Sequence, residues 1–286
     1  MHYYTLTIAD IMERNVLFYD AENEDACRTI CQTLNLDNLP ALDGRSCYFL
    51  DDDGNFTSQP IPVGSCVRPH ERLFDDSILN KFRQASHNVL FVYEDEDCNS
   101  NFLAVVHISD FNRDVVIQTI QDDILVFERT LRQFLILLKE TNTSIDTYLK
   151  TESPKKRNNK LKKPYDNYAP FQQYNLSDLL DFARHLSYPG VHYDDLTIKA
   201  INKNLRNTVM HGKNVVELVS NDHYSIESLN ELDFNLKKLA GAYFTLRSAI
   251  SKDESYITTK RALNQSKLKL IAQSGQLALR TILELG

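Results

Sequence analysis

The stretch Asp194-Asp-Leu-Thr-Ile-Lys-Ala-Ile-Asn-Lys-Asn-Leu-Arg-Asn-Thr-Val-Met-His-Gly-Lys213 sets Leu196, Ile198, Ile201, Leu205 and Val209 at close to helical spacing. Asp194 and Asp195 put acid in the first turn, and Gly212 with Lys213 marks the end. Arg206, Asn207 and His211 fall near that end. On a helix Asn207 and His211 share a face, and Arg206 lies about 100° round from Asn207. A fixed cation, an amide and an imidazole therefore gather at one helix terminus, groups suited to holding a phosphate and moving a proton. The plain alternative is that Arg206 and His211 satisfy the last carbonyls and complement the helix dipole.

The flanking chain also reads as helix. Between Val115 and Lys139, residues Ile117, Ile120, Ile124, Phe127, Leu131, Phe134, Leu135 and Leu138 recur at three- and four-residue steps. A second helix starts at Asn175 and stops before Tyr188-Pro-Gly190. Leu229, Leu232, Leu236, Leu239, Tyr243, Leu246 and Ile250 stripe a further one from about Ile226 to Ser251, and a last segment is expected over roughly Thr259–Leu285. Helices with one apolar stripe each specify a bundle. Lys155, Lys156, Arg157, Lys160, Lys162 and Lys163 crowd one stretch, where Pro154 and two asparagines argue for an exposed loop. It reads either as a solvated insertion or as an arm on nucleic-acid phosphates, whose grip falls with salt.

Arg206-Asn-x-x-x-His211 resembles the R-x4-6-H motif of HEPN domains (higher eukaryotes and prokaryotes nucleotide-binding), in which the second residue is usually polar, as Asn207 is. Phe127-Glu-Arg-Thr-Leu-Arg132 resembles the first HEPN helix and makes Glu128 a weaker site candidate. Glu128 and Arg132 at i, i+4 equally suit a simple pair on a solvated face. The resemblance implies metal-independent RNA cleavage without a cofactor. It also implies a homodimer whose two motifs face one cleft, and products carrying a 2′,3′-cyclic phosphate. His211 would serve as the acid–base, Arg206 as the phosphate-neutralising cation, and Asn207 as an orienting group. Non-catalytic HEPN modules keep a second class open, in which the bundle only dimerises or docks on a partner.

The first hundred or so residues read differently. A short helix and then a strand follow from Thr7, and a helix spans about Glu24–Leu34. Cys47-Tyr-Phe-Leu-Asp-Asp-Asp-Gly-Asn-Phe56 reads as strand, turn, strand, since Asp-Gly is a hairpin signal. The order recurs as helix Asp76–Ala85, strand Val89–Tyr93, a polar turn, strand Phe102–Ile108 and a helix after Ser109-Asp110. Ile8-Ala-Asp-Ile-Met-Glu-Arg-Asn-Val16, Asn38-Leu-Pro-Ala-Leu-Asp43 and above all Leu103-Ala-Val-Val-His-Ile-Ser-Asp-Phe111 resemble a tandem pair of cystathionine-β-synthase (CBS) domains. That resemblance implies an adenine nucleotide as regulator, with Ser109 toward phosphate and Asp110 toward ribose. A helix N-cap is the alternative role for both Ser109 and Asp110. His107 replaces the family's frequent threonine, and the first repeat lacks the matching helix start.

Residues 1–114 carry 20 acidic and 8 basic side chains, a net of −12, while residues 115–286 carry 19 and 24, a net of +5. Opposite signs suggest separate partners, with the basic part tolerating a polyanion such as RNA. All five cysteines lie in the first hundred residues and none has metal-site spacing, so they are expected to be reduced thiols with no metal. No apolar run reaches membrane-spanning length and the start lacks a secretory pattern, so a cytoplasmic protein is expected. The expected architecture is α+β, a CBS-like pair over 1–114 followed by an all-α HEPN-like domain over 115–286. The expected function is a nucleotide-regulated ribonuclease, a toxin or defence effector with room for an inhibitory protein partner. The alternative is a non-catalytic sensing and partner-binding module.

Overall fold

The computed structural model describes residues 1–253 apart from 35, 37, 52, 86, 87, 96–100, 153–169, 221 and 222, and beyond 253 only 258, 259, 262 and 266. Helix and sheet are mixed, as expected for an α+β chain. Two compact units result. The first takes Met1–Val126 and Lys199–Leu239, and the second takes Phe127–Ile198 with the chain from Ala240 onward. The expected division at 114/115 lies inside the first unit. The reason is that residues 199–239 make their polar ties to the N-terminal fold: Gln121 with Val209, Asn112 with Val215 and Val216, Asn88 with Tyr224, and Arg83 with Asn230.

In the first unit, α1 (Ile8–Ile11) and α2 (Glu24–Leu34) precede β1 (Asn38–Pro40), β2 (Ser46–Leu50) and β3 (Phe56–Pro60). These strands form an antiparallel sheet in chain order, with the anticipated Asp-Gly turn joining β2 to β3. A second sheet pairs β4 (Cys66–Val67) parallel to β5 (Val89–Tyr93), and β5 antiparallel to β6 (Phe102–His107), with α3 (Asp76–Gln84) between β4 and β5. The repeated order of helix, strand, turn and strand is thus present. The strand expected after α1 is not: Val16–Tyr19 is irregular, its one backbone tie to the first sheet among the described residues being Tyr19 N–H to Pro40 O at 2.9 Å, and the Tyr19 ring stacks on Tyr48 with centroids 3.7 Å apart. Burial of an aromatic against a sheet face here replaces membership of the sheet.

Two apolar clusters organise the sheets. Cys27, Cys31 and Leu39 pack under the first, while Cys47, Ile61, Cys66, Phe91 and Tyr93 pack around the second. Gly44 has a φ of +66°, and a Cβ there would meet Phe102 Cβ at 2.5 Å, so the turn before β2 needs glycine. Cys27, Cys31 and Cys47 are buried thiols outside any disulfide. Cys66 departs from the expected reduced state, being disulfide-bonded. Sequence spacing reveals pairing only between neighbours, and this bond depends on the fold.

The helix α4 (Asp114–Leu137) contributes Asp123, fully buried, to the first unit. Its carboxylate accepts from the backbone N–H of His2 (2.6 Å) and Tyr3 (2.9 Å), pinning the start of the chain. Asp123→Ala would leave two amides without acceptors and is expected to cost about 3 kcal/mol. A lower urea midpoint, with early exchange of the His2 and Tyr3 amides, is the expected readout. Unchanged stability would mean the first residues are dispensable.

The second unit holds the rest of α4, α5 (Asn142–Glu152), α6 (Leu176–Leu186), α7 (Asp195–Ile198) and the end of α9 (Ile226–Lys252). Asn175 caps α6 by accepting from Asp178 N–H at 2.9 Å. Of the helix expected over 259–285, residues 259, 262 and 266 are described, each helical, and the basic loop lies outside the described residues.

Candidate functional site

The helix carrying Arg206 is not a plain α-helix. After α7, Lys199–Arg206 is π-helical, and α8 (Asn207–Met210) completes it. Ile201, Leu205 and Val209 are buried at four-residue steps. In an α-helix such a step overshoots a turn by about 40°, so the line would spiral off the core. The wider π turn holds these side chains on one side. Asn204, on this helix, donates to Glu231 Oε1 (2.9 Å) and Asn235 Oδ1 (3.3 Å) of α9.

Arg206 ends the π segment. Its Nε is buried and has no hydrogen-bond partner. Its guanidinium makes no hydrogen bond or ion pair with any described residue. Asn207 is half-buried, and its side chain is likewise uncommitted. His211 is exposed just past α8, with φ −103° and ψ 11°, and its ring has no protein partner among the described residues. The three residues therefore stand at one helix end with their polar groups free. A helix end that merely needed its carbonyls satisfied would employ them.

The backbone beneath is held from two sides. Gln121 Nε2 of α4 donates to Val209 O at 2.8 Å. Asn112 Oδ1 accepts from Val215 N–H (2.7 Å) and Val216 N–H (2.9 Å), and Asn112 Nδ2 donates to Val216 O (2.9 Å). One side chain thereby imitates a strand edge and fixes the loop that leaves His211. Asn112→Ala is expected to cost about 2 kcal/mol, because Val215 and Val216 are buried and their amides would lose their acceptor. Hydrogen exchange should rise first at 212–216. A uniform rise across the unit would show that Asn112 has no local role.

Asn112 belongs to a 3-10 turn, Ile108–Asn112, that includes the two nucleotide candidates. Asp110 Oδ2 accepts from His107 N–H (2.7 Å), and Oδ1 accepts from Arg113 Nε (2.9 Å). Arg113 also reaches Glu13 at 3.0 Å. Burial pushes the Asp110 carboxyl above the ordinary carboxylate range, against the pull of His107 N–H and Arg113. Ser109 Oγ lies 2.7 Å from His107 Nδ1. Both candidates thus serve within the fold as a cap and its partners.

Glu128 pairs with Arg132 at 2.5 Å in the second unit. Arg132 also donates to Phe171 O (3.2 Å) and Tyr174 O (3.1 Å), holding the turn before α6. That is a structural arrangement. Lys155, Lys156, Arg157, Lys160, Lys162 and Lys163 lie outside the described residues. No cluster of three or more His, Cys, Asp or Glu side chains placed for a metal occurs among the described residues. Within those residues, too, no helix is long and apolar enough to cross a membrane.

Sequence reading missed Asn112, whose role depends on a contact more than a hundred residues away. It also missed Lys199 and Lys203, which stand eight and four residues before Asn207 and continue its line. Comparison of the chain with protein-family models, with curated proteins and with solved structures finds no match in any of the three.

Proposed function

We propose that this chain is a metal-independent endoribonuclease of HEPN type, with Arg206, Asn207 and His211 as its working groups. One observation carries the reading: Arg206 is a permanent cation with a desolvated, unpaired Nε, five residues before an exposed and uncommitted histidine. Leaving a cation so placed costs stability, and an incoming phosphate would supply the missing acceptor.

In the proposed reaction the ribose 2′-oxygen attacks phosphorus as its proton passes to a base. The bond from phosphorus to the 5′-oxygen breaks, and an acid protonates that oxygen. The products are a 2′,3′-cyclic phosphate and a 5′-hydroxyl end. Arg206 neutralises the charge that builds on the phosphoryl oxygens. His211 supplies one of the two proton transfers. A homodimer supplies a second His211 for the other, and the composite site follows from this need. The CBS-like resemblance adds an adenine nucleotide at the Ser109–Asp110 turn as regulator. Such a ligand would compete with His107 N–H and Arg113 for Asp110, and its effect would reach the loop after His211 through Asn112.

The test is cleavage of a mixed RNA pool in EDTA by the wild type and by His211→Ala. Cutting by the first and not by the second is expected. Equal cutting by both would reject His211, and cutting by neither would favour a binding module.

A further inference from the structure

We infer that Lys199 and Lys203 continue the line of Asn207 and His211 into a track for the backbone of one unpaired RNA strand. The inference rests on the ribonuclease reading and names its substrate as single-stranded.

Lys199, Lys203, Asn207 and His211 are spaced by four, offset by two from the buried Ile201, Leu205 and Val209. Within the π segment the wider turn keeps Lys199 and Lys203 on the side opposite the buried line, and Asn207 and His211 follow in and just past α8. In an α-helix, three such steps would carry His211 about 120° round from Lys199. Here Lys199, Lys203 and His211 are all exposed. The line runs along about three helical turns, the reach of a short run of nucleotides, and it ends at the proposed site of chemistry.

What sets this face apart from an ordinary solvated one is the absence of acid along it. Elsewhere in the first unit Arg28, Lys81, Arg113 and Lys237 hold carboxylates, while Arg14, Arg45, Arg72 and Arg83 hold none among the described residues. Lys199, Lys203, Arg206 and Lys213 hold none among the described residues. The sequence contains no Asp or Glu from Leu196 to Val216, although residues 1–114 are strongly acidic. A helix cleared of acid and lined with free cations is complementary to a polyanion. A single row follows one backbone, whereas a duplex presents two. An unpaired strand also leaves its ribose free to bring the 2′-oxygen in line with the leaving 5′-oxygen.

The experiment uses the full chain in EDTA with a short labelled single-stranded RNA and its duplex. Binding is read by fluorescence anisotropy over a salt series, for His211→Ala and for His211→Ala with Lys199→Gln and Lys203→Gln. We expect the lysine changes to weaken single-strand binding about tenfold or more. They should also flatten the plot of log affinity against log salt by about 1.4, the contribution of two phosphates. With His211 intact, the same lysine pair should raise KM and leave kcat, and Lys199→Arg with Lys203→Arg should restore binding. An unchanged affinity and slope would overturn the track, as would duplex binding equal to single-strand binding or no RNA binding at all. If the slope flattens but no variant cuts RNA, the track stands and the ribonuclease reading falls. If the wild type cuts while the slope stays unchanged, the reverse holds.

Discussion

Arg206→Met is expected to give a protein that is more stable than the wild type and does not cut RNA. The side chain's Nε is buried without an acceptor, a condition that costs about 1–3 kcal/mol wherever it occurs. Methionine keeps an unbranched stem and removes the stranded donor. A gain of about 1 kcal/mol in unfolding free energy is therefore expected, seen as a higher thermal midpoint. Cleavage should fall about a hundred- to a thousandfold, the usual loss when one group facing a developing oxyanion is removed. Stability and activity moving in opposite directions is what separates a working residue from a structural one. A less stable protein that still cuts would place Arg206 among the fold's own supports.

His211→Ala carries the larger catalytic effect. Because the ring is exposed and bonded to nothing among the described residues, its loss should leave the thermal midpoint unchanged within about 0.5 kcal/mol. General acid–base catalysis contributes about a hundred- to ten-thousandfold, and a composite site loses both proton transfers at once when both copies are changed. Mixed dimers add a sharper readout. Reassembling Arg206→Met with His211→Ala should recover part of the activity if each cleft draws on both copies. Recovery should be absent if each chain works alone.

Much of the secondary structure was legible because it is written in apolar spacing. The stripes of α4 and α9, the apolar strands β5 and β6 and the Asp-Gly turn between β2 and β3 all lie close to where the sequence puts them. Helix α5 was not legible. Its residues are mostly polar and Ile145 is its one fully buried side chain, so no stripe announces it. Composition also suggested a boundary where charge changes sign, but Asn112 and Gln121 tie residues 209–216 to the N-terminal fold across it. Charge balance reports on solvent, and compact units follow contacts.

The site was legible in part. Arg206, Asn207 and His211 could be grouped from spacing alone, but the π winding beneath them could not. It follows from the four-residue period of Ile201, Leu205 and Val209 meeting a core that accepts only one side. For Ser109 and Asp110 the sequence left a ligand role and a capping role open, and the structure supplies the bonds of the cap. Glu128 shows the same outcome, since its partner Arg132 is committed to the turn at Phe171–Tyr174. The pattern is physical. A polar side chain whose bonds are filled internally must give them up before it can meet a ligand, whereas those at 206, 207 and 211 are unfilled among the described residues.

The most direct test of the central claim is the chemistry of the new RNA ends. Wild-type protein in EDTA should leave a 2′,3′-cyclic phosphate on one fragment and a 5′-hydroxyl on the other, and His211→Ala should leave the RNA whole. Fragments ending in a 3′-hydroxyl and a 5′-phosphate would mean that water attacked phosphorus. The account built on Arg206 and His211 would then be contradicted.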